Sequence, residues 1–299
     1  MHAQWLPSPA LVDASPLLWT DLPDPRPGPG QITIRVSACA VCHTDLHTVE
    51  GELLPPRLPV IPGHQVVGEV VALGPQAAGW SVGERAGVFW LHHACGQCEF
   101  CRRGEENLCP AAEFTGLHRN GGYAEYILAQ ADFALRIPEA FDDVHAAPLL
   151  CAGIIGYRSL RKAEVQPGET VGLFGFGASA HLAIQVAQYW KCRVFVFTRS
   201  ISHREHARSL GAEWTGAASD TPPAALDRAV IFAPSGAMVP AALEKLRPGG
   251  TLAINAISMS DIPPLPYASV YGERTIRSIA NATRRDAAEF LKLAAGIPI

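Results

Sequence analysis

Four cysteines stand in the stretch HHACGQCEFCRRGEENLCP, at Cys95, Cys98, Cys101 and Cys109, and nothing else in the chain restricts its local path as tightly. Their pattern is C-x2-C-x2-C-x7-C in a charged, non-repetitive segment. Disulfides or a metal ion could hold such a set together. Zinc takes four ligands at tetrahedral corners and favours thiolates in structural sites. Two-residue gaps let a chain curl around one ion, and the longer gap returns the fourth corner. Four thiolates leave no open coordination position, so zinc here would tie down a lobe without doing chemistry. The cellular compartment bears on the choice. The start, MHAQWLPSPALVDASPLLW, lacks a charged n-region followed by an unbroken apolar h-region, so no signal peptide is expected. Apolar runs break at Gly, Pro or charge well before membrane-spanning length. A soluble, cytoplasmic protein is expected. Thiols stay reduced there, and clustered cysteines favour zinc.

A chain of 299 residues, 48% hydrophobic and 17% charged, is ordinary globular material long enough for two domains. A net charge of −4 with no basic block gives nucleic acid no electrostatic footprint. The first half reads as β-rich: GQITIRVSACAV, HQVVGEVVALG and GGYAEYILAQADFALRIP are alternating or β-branched runs bounded by Gly and Pro. From about Ala152 strand and helix alternate. TVGLFGFG, RVFVFT, RAVIFAP, TLAINAI and RTIRSIANA read as strands, and ASAHLAIQVAQYWK, HREHARSLGA, MVPAALEKLRPGG and RRDAAEFLKLAAG as helices. That alternation predicts an α/β chain whose second part is a doubly wound parallel sheet.

Three further segments carry reactive side chains: CAVCHTDLHT, IPGHQVVGEV and LLCAGIIGY. Taken singly, a cysteine is usually a small buried hydrophobe. Together with the four-cysteine loop, in this order and spacing, the segments resemble the zinc-dependent alcohol dehydrogenases of the medium-chain dehydrogenase/reductase superfamily over nearly the whole chain. The resemblance implies a second zinc, the catalytic one, on Cys42, His64 and Cys151, with a fourth position open to water or substrate. It implies that Thr44 takes the alcohol proton and His47 passes it to solvent. Asp45 would orient the zinc-binding imidazole, a part that carboxylates play in many metal sites, although Thr-Asp is also helix-capping chemistry. His43 would meet the cofactor pyrophosphate. The architecture implied is a β-rich GroES-like catalytic domain over residues 1–153 and a Rossmann cofactor domain over 154–295. Residues 296–299 would be the stub of a C-terminal return to the catalytic domain that the family has and this chain lacks. A homodimer or homotetramer is implied as well. One departure is visible: the family usually has Glu after the zinc histidine, and here Gln65 follows His64.

The cofactor fingerprint is Gly175-x-Gly177-x-x-Ala180, between an expected strand and an expected helix. The first glycine permits the tight turn, the second lets backbone approach a pyrophosphate, and the small third residue permits close helix packing. The helix N-terminus attracts the phosphates. NAD enzymes place an acid at the end of the next strand. Here Thr198 stands there with Arg199 beside it, and Ser200, His203 and Arg204 come next. A guanidinium can pair with a 2′-phosphate, so NADP is preferred, with NAD as the alternative. Related microbial enzymes often put an aromatic at the position of Trp90, against the substrate, and Trp90 either does the same or belongs to the core; Val49 and Leu53 could join it in the pocket. The expected partner is a small alcohol or aldehyde, with no nucleic acid and no membrane. Two other readings are open: a zinc-free reductase of the same superfamily, and a catalytically silent relic that binds cofactor.

Overall fold

Alternation of apolar and polar residues along a strand buries one face of an antiparallel sheet. The N-terminal half folds accordingly in the computed structural model of the chain, which describes residues 1–297 and 299. Strands Tyr126–Gln130, Gln31–Ala40, Gln65–Leu73, Arg85–Val88 and Leu135–Arg136 lie side by side in that order, each antiparallel to its neighbour. Ile32, Ile34, Val66, Val70, Val88 and Ile127 form its core. The register between Gln31–Ala40 and Gln65–Leu73 shifts between Val36 and Ala38, and the ladder ends with Ala40 opposite Gln65. A bulge bends its strand and re-aims the side chains beyond it. Cys42 comes two residues after that last pair and His64 one residue before it, so this register sets the two side by side. The short helical turns Asp143–Ala146 and Ala147–Leu150, with Leu149 and Leu150 buried, lead into Cys151.

The second part is a six-stranded parallel sheet. Numbered by chain order, its strands are Thr170–Phe174, Arg193–Phe197, Trp214–Gly216, Leu226–Ile231, Leu246–Ile254 and Thr275–Ser278, and they lie in the order 3-2-1-4-5-6. This is the doubly wound Rossmann arrangement. Thr170–Phe174 is buried at every position, as a central parallel strand must be. Phe174 and Phe197 stack at 4.2 Å within its core. The expected strands and helices are present. The short strand Trp214–Gly216 and the helix Ala152–Lys162 are additions to them.

The chain separates into two units: Met1–Cys151 with Asn281–Ala295, and Ala152–Ala280 with Gly296–Ile299. The sequence predicts a second domain that runs through residue 295. The helix Arg284–Ala294 instead packs with the first unit. Its opening residue is the reason. The Arg284 backbone N–H donates to Glu106 at 2.7 Å, its guanidinium also holds Glu106 at 2.7 Å, and it lies 4.1 Å over the Phe133 ring. Among the described residues no helix is long and apolar enough to cross a membrane.

His92 lies in the strand Leu91–His93 and is 3% exposed, with Nδ1 lacking a partner among the described residues. Burial, reinforced by Arg119 and His93 and opposed by Glu113, pushes its pKa down to about 4. In the unfolded chain the ring takes a proton near pH 6.5. Falling pH therefore favours the unfolded state from about pH 6.5 until the folded pKa is reached. By pH 5 the expected loss is about 2 kcal/mol. Denaturant titrations at pH 7 and pH 5 should show that loss in the wild type and its absence in His92→Gln.

Candidate active site

Cys42 caps the helix His43–Glu50, and its backbone N–H donates to Asp45 Oδ2 at 2.9 Å. Asp45 is 5% exposed and accepts from three further groups. Tyr123 Oη donates to Oδ2 at 2.9 Å, Gly63 N–H to Oδ1 at 3.2 Å, and His64 Nδ1 to Oδ1 at 2.9 Å. Burial raises the pKa of this carboxyl, but the His64 charge and the converging donors outweigh it and hold the pKa below the usual range. In the neutral ring, the form a metal would bind, the ionised carboxylate keeps the hydrogen on Nδ1 and leaves the Nε2 lone pair for a metal. Gly63 makes room for this. Its φ is 96°, and a Cβ there would lie 2.6 Å from the Tyr123 ring.

Cys151 completes the group. Its Sγ lies 3.9 Å from Cys42 Sγ, and one donor atom each from Cys42, His64 and Cys151 falls within 4.8 Å of the others. The Cys151 thiol, with help from His64, draws the Cys42 thiol down to about 4 against the effect of burial. Cys151 itself is pushed well up by that neighbour and by burial. Two sulfurs and one imidazole nitrogen, with the imidazole pinned through its other nitrogen, form a donor set suited to zinc. Thr44 Oγ1 sits 3.7 Å from Cys42 Sγ, buried in the first turn of the helix. His47, one turn later and half-buried, is bound through Nδ1 to Glu52. His43 is exposed, with its ring 6.3 Å from that of His47.

Trp90 stands edge-on to His64 at 5.0 Å and stacks on Phe114 at 5.1 Å. Val49 is 4% exposed and packs with Leu6 and Val60 in a small core. Gln65 is buried, and its amide donates to the Ala40 carbonyl at 3.2 Å, a bond a carboxylate could not make. Two residues of this group are not marked by the sequence: Tyr123, and Asn281, whose Oδ1 accepts from Trp90 Nε1 at 3.1 Å. The segment GGYAEY reads only as the start of a strand, and a tyrosine hydroxyl's partner cannot be read from its neighbours.

The four-cysteine loop closes on itself. One sulfur each from Cys95, Cys98, Cys101 and Cys109 falls within 4.8 Å of the others. Backbone N–H groups point at three of them: Cys98 at Cys95 Sγ (3.4 Å), Cys101 at Cys98 Sγ (3.4 Å) and Cys95 at Cys109 Sγ (3.5 Å). At Cys95 the backbone N–H groups of Gln97 and Cys98 draw the thiol down to about 6, toward the thiolate that binds metal.

In the second unit, Gly175 turns the chain at φ 92°, with Ala233 N 2.9 Å from where a Cβ would stand. Gly177 caps the helix Ala178–Tyr189, and a Cβ there would meet nothing within 4 Å, so backbone is open to a ligand. Ala180 is fully buried. Ser200 caps Ile201–Ser209, accepting from His203 N at 3.2 Å, and Arg204 Nε donates to the Thr198 carbonyl at 2.8 Å. Arg199 is exposed, and no hydrogen bond or ion pair among the described residues engages it.

Comparison with known proteins agrees with this geometry. Residues 28–139 match the family model of the alcohol dehydrogenase GroES-like domain, and residues 180–296 that of the zinc-binding dehydrogenases. The chain is 47% identical over 301 residues to the probable alcohol dehydrogenase AdhA of Mycobacterium tuberculosis, covering 99% of this chain and 87% of that one. A cinnamyl alcohol dehydrogenase from Sorghum bicolor superposes with a TM-score of 0.89 at 28% identity, over 99% of this chain and 87% of the other. A thermostable alcohol dehydrogenase from Pyrobaculum aerophilum, solved with cobalt and zinc bound, does so with a TM-score of 0.89 at 25% identity, over 99% and 89%. With sequence, fold and donor sets in agreement, this chain belongs to the zinc-binding alcohol dehydrogenases of the medium-chain dehydrogenase/reductase superfamily.

Proposed function

We propose that the chain is a zinc-dependent, NADP-preferring alcohol dehydrogenase, working as an aldehyde reductase in the other direction, with one catalytic and one structural zinc. The observation that carries this is the convergence of Cys42, His64 and Cys151 from three separate segments, with His64 Nδ1 held by a buried carboxylate. Cys42, His64 and Cys151 would hold zinc, which would supply a Lewis acid of the kind that brings a bound hydroxyl pKa down toward about 7. NADP would be held at the turn of Gly175 and Gly177, with Ala180 packing the helix behind it, and would supply the acceptor for the hydride of the carbinol carbon.

The chain's own residues handle the proton. Thr44 Oγ1 takes the substrate hydroxyl proton while releasing its own, since a hydroxyl both accepts and donates. His47 accepts the proton that Thr44 releases and passes it to solvent, its Nδ1 held by Glu52. Asp45 stays ionised and keeps the His64 ring in place. The Trp90 indole supplies an apolar wall beside His64, which suits an alcohol whose carbon end is hydrophobic. Arg199 favours the 2′-phosphate: its charge is uncommitted and no acid follows the strand Arg193–Phe197.

Metal analysis should return two zinc ions per chain, and an alcohol panel should show zinc-dependent turnover. Undiminished activity after complete removal of zinc would point to the zinc-free reductase instead. Arg199→Gln should raise the KM for NADPH by about 10- to 100-fold, the worth of one charge-assisted hydrogen bond, and leave that for NADH nearly unchanged. Equal effects on the two would remove Arg199 from the 2′-phosphate.

A further inference from the structure

The geometry points to Asn281 as a positioning residue that seats the Trp90 indole beside His64 and thereby sets which alcohols fit; this rests on the zinc-and-alcohol reading of the site. Trp90 Nε1 donates to Asn281 Oδ1 at 3.1 Å, across 191 positions of sequence. An indole N–H only donates, so the amide oxygen is the group that faces it. Three contacts then fix the ring. Phe114 stacks on one face with planes 13° apart, His64 meets the ring at 74° and 5.0 Å, and Asn281 holds the N–H. Without the third contact only the Phe114 stack and the His64 edge hold the ring, and a half-buried N–H is left without its partner.

Asparagine suits this position for two reasons. Asn281 has φ 53°, in the left-handed region that Asn, Asp and Gly tolerate best. It is also the residue at which the chain re-enters the first unit after Ala280. Glycine would satisfy the backbone and lose the acceptor; aspartate would keep both; alanine would lose both. The two functions of the side chain can therefore be separated by substitution.

The experiment compares wild type, Asn281→Gly, Asn281→Asp, Trp90→Phe and the Trp90→Phe/Asn281→Gly double variant on primary alcohols from ethanol to benzyl alcohol. The wild-type panel tests the alcohol reading by itself. Asn281→Gly should raise the KM for the preferred alcohol about 3- to 10-fold, with kcat within twofold and the NADPH KM unchanged. Asn281→Asp should stay near wild type. Trp90→Phe should reproduce the KM shift, and Asn281→Gly should add nothing in that background. Near-ultraviolet circular dichroism reads the seating of the indole without turnover: the difference between wild type and Asn281→Gly should vanish in the Trp90→Phe pair. An unchanged alcohol KM in Asn281→Gly overturns the proposal, as does an equal effect of Asn281→Gly with Phe at position 90. If Asn281→Gly does not fold, Trp90→Phe with a wild-type alcohol KM overturns it alone.

Discussion

His64→Ala should lower kcat/KM for alcohol oxidation by on the order of 10³-fold, with loss of one zinc per chain while the other remains. The ion contributes several kcal/mol of charge stabilisation, and each 1.36 kcal/mol is a factor of ten in rate. Two thiolates alone hold the ion weakly, and the vacated space admits water. Asp45→Asn should act through the same ligand with the ring still present. Asp45 Oδ2 receives hydrogens from both Cys42 N and Tyr123 Oη, and Oδ1 receives them from His64 and Gly63. An amide must turn its NH2 toward one of those pairs, donor against donor. Zinc affinity should fall about 10- to 100-fold, as for other carboxylates behind a zinc histidine. Zinc content and kcat/KM measured on the same preparation check both variants. Full activity in zinc-free His64→Ala would refute the assignment.

Local spacing is what makes part of this site legible. Cys95, Cys98, Cys101 and Cys109 lie within one short stretch, so their meeting stems from chain geometry over a few residues. The same holds for Gly175, Gly177 and Ala180, whose strand–turn–helix context spans one turn. Cys42, His64 and Cys151 are different. Their meeting depends on the pairing of Ala40 with Gln65 and on the turns before Cys151, and only the resemblance to a known family joins them from sequence. Trp90 shows the same boundary: an aromatic residue beside the site is foreseeable, but its partner Asn281 is not, because a side-chain bond over so long a separation leaves no periodic trace. Val49, buried with Leu6 and Val60, shows a related limit. An apolar residue on a helix announces burial, but not whether a core or a pocket buries it.

Arg284→Ala should destabilise the first unit by roughly 4 kcal/mol, more than its place at the start of a helix would indicate. As a helix, Arg284–Ala294 is plain in the sequence. Thr283 and Asp286 form a capping box, with Thr283 N donating to Asp286 Oδ2 at 2.9 Å and Asp286 N to Thr283 Oγ1 at 3.1 Å. Ala287, Phe290, Leu291 and Ala294 make one buried stripe. That stripe says which face is covered, not what covers it, and a helix at the end of a strand–helix alternation is naturally counted with the sheet before it. Glu106 decides otherwise. It lies inside the four-cysteine loop at 8% exposure, and Arg284 satisfies both its oxygens while also reaching the Asp132 carbonyl at 3.2 Å. Removing the guanidinium leaves a buried carboxylate without its main partner, a loss of about 3–5 kcal/mol when such pairs are fully buried. The Arg284 side chain is 37% exposed, which places the ionic part near the low end. Its contact with the Phe133 ring adds about 0.5–1 kcal/mol. Arg284→Lys should recover less than half, since an ammonium cannot make the forked contact. Glu106→Gln/Arg284→Ala should be milder than Arg284→Ala, because no uncompensated charge remains. Denaturant titration of the three variants checks the ordering. A double variant as unstable as Arg284→Ala would mean that the helix is held by its apolar stripe and that the buried pair contributes little.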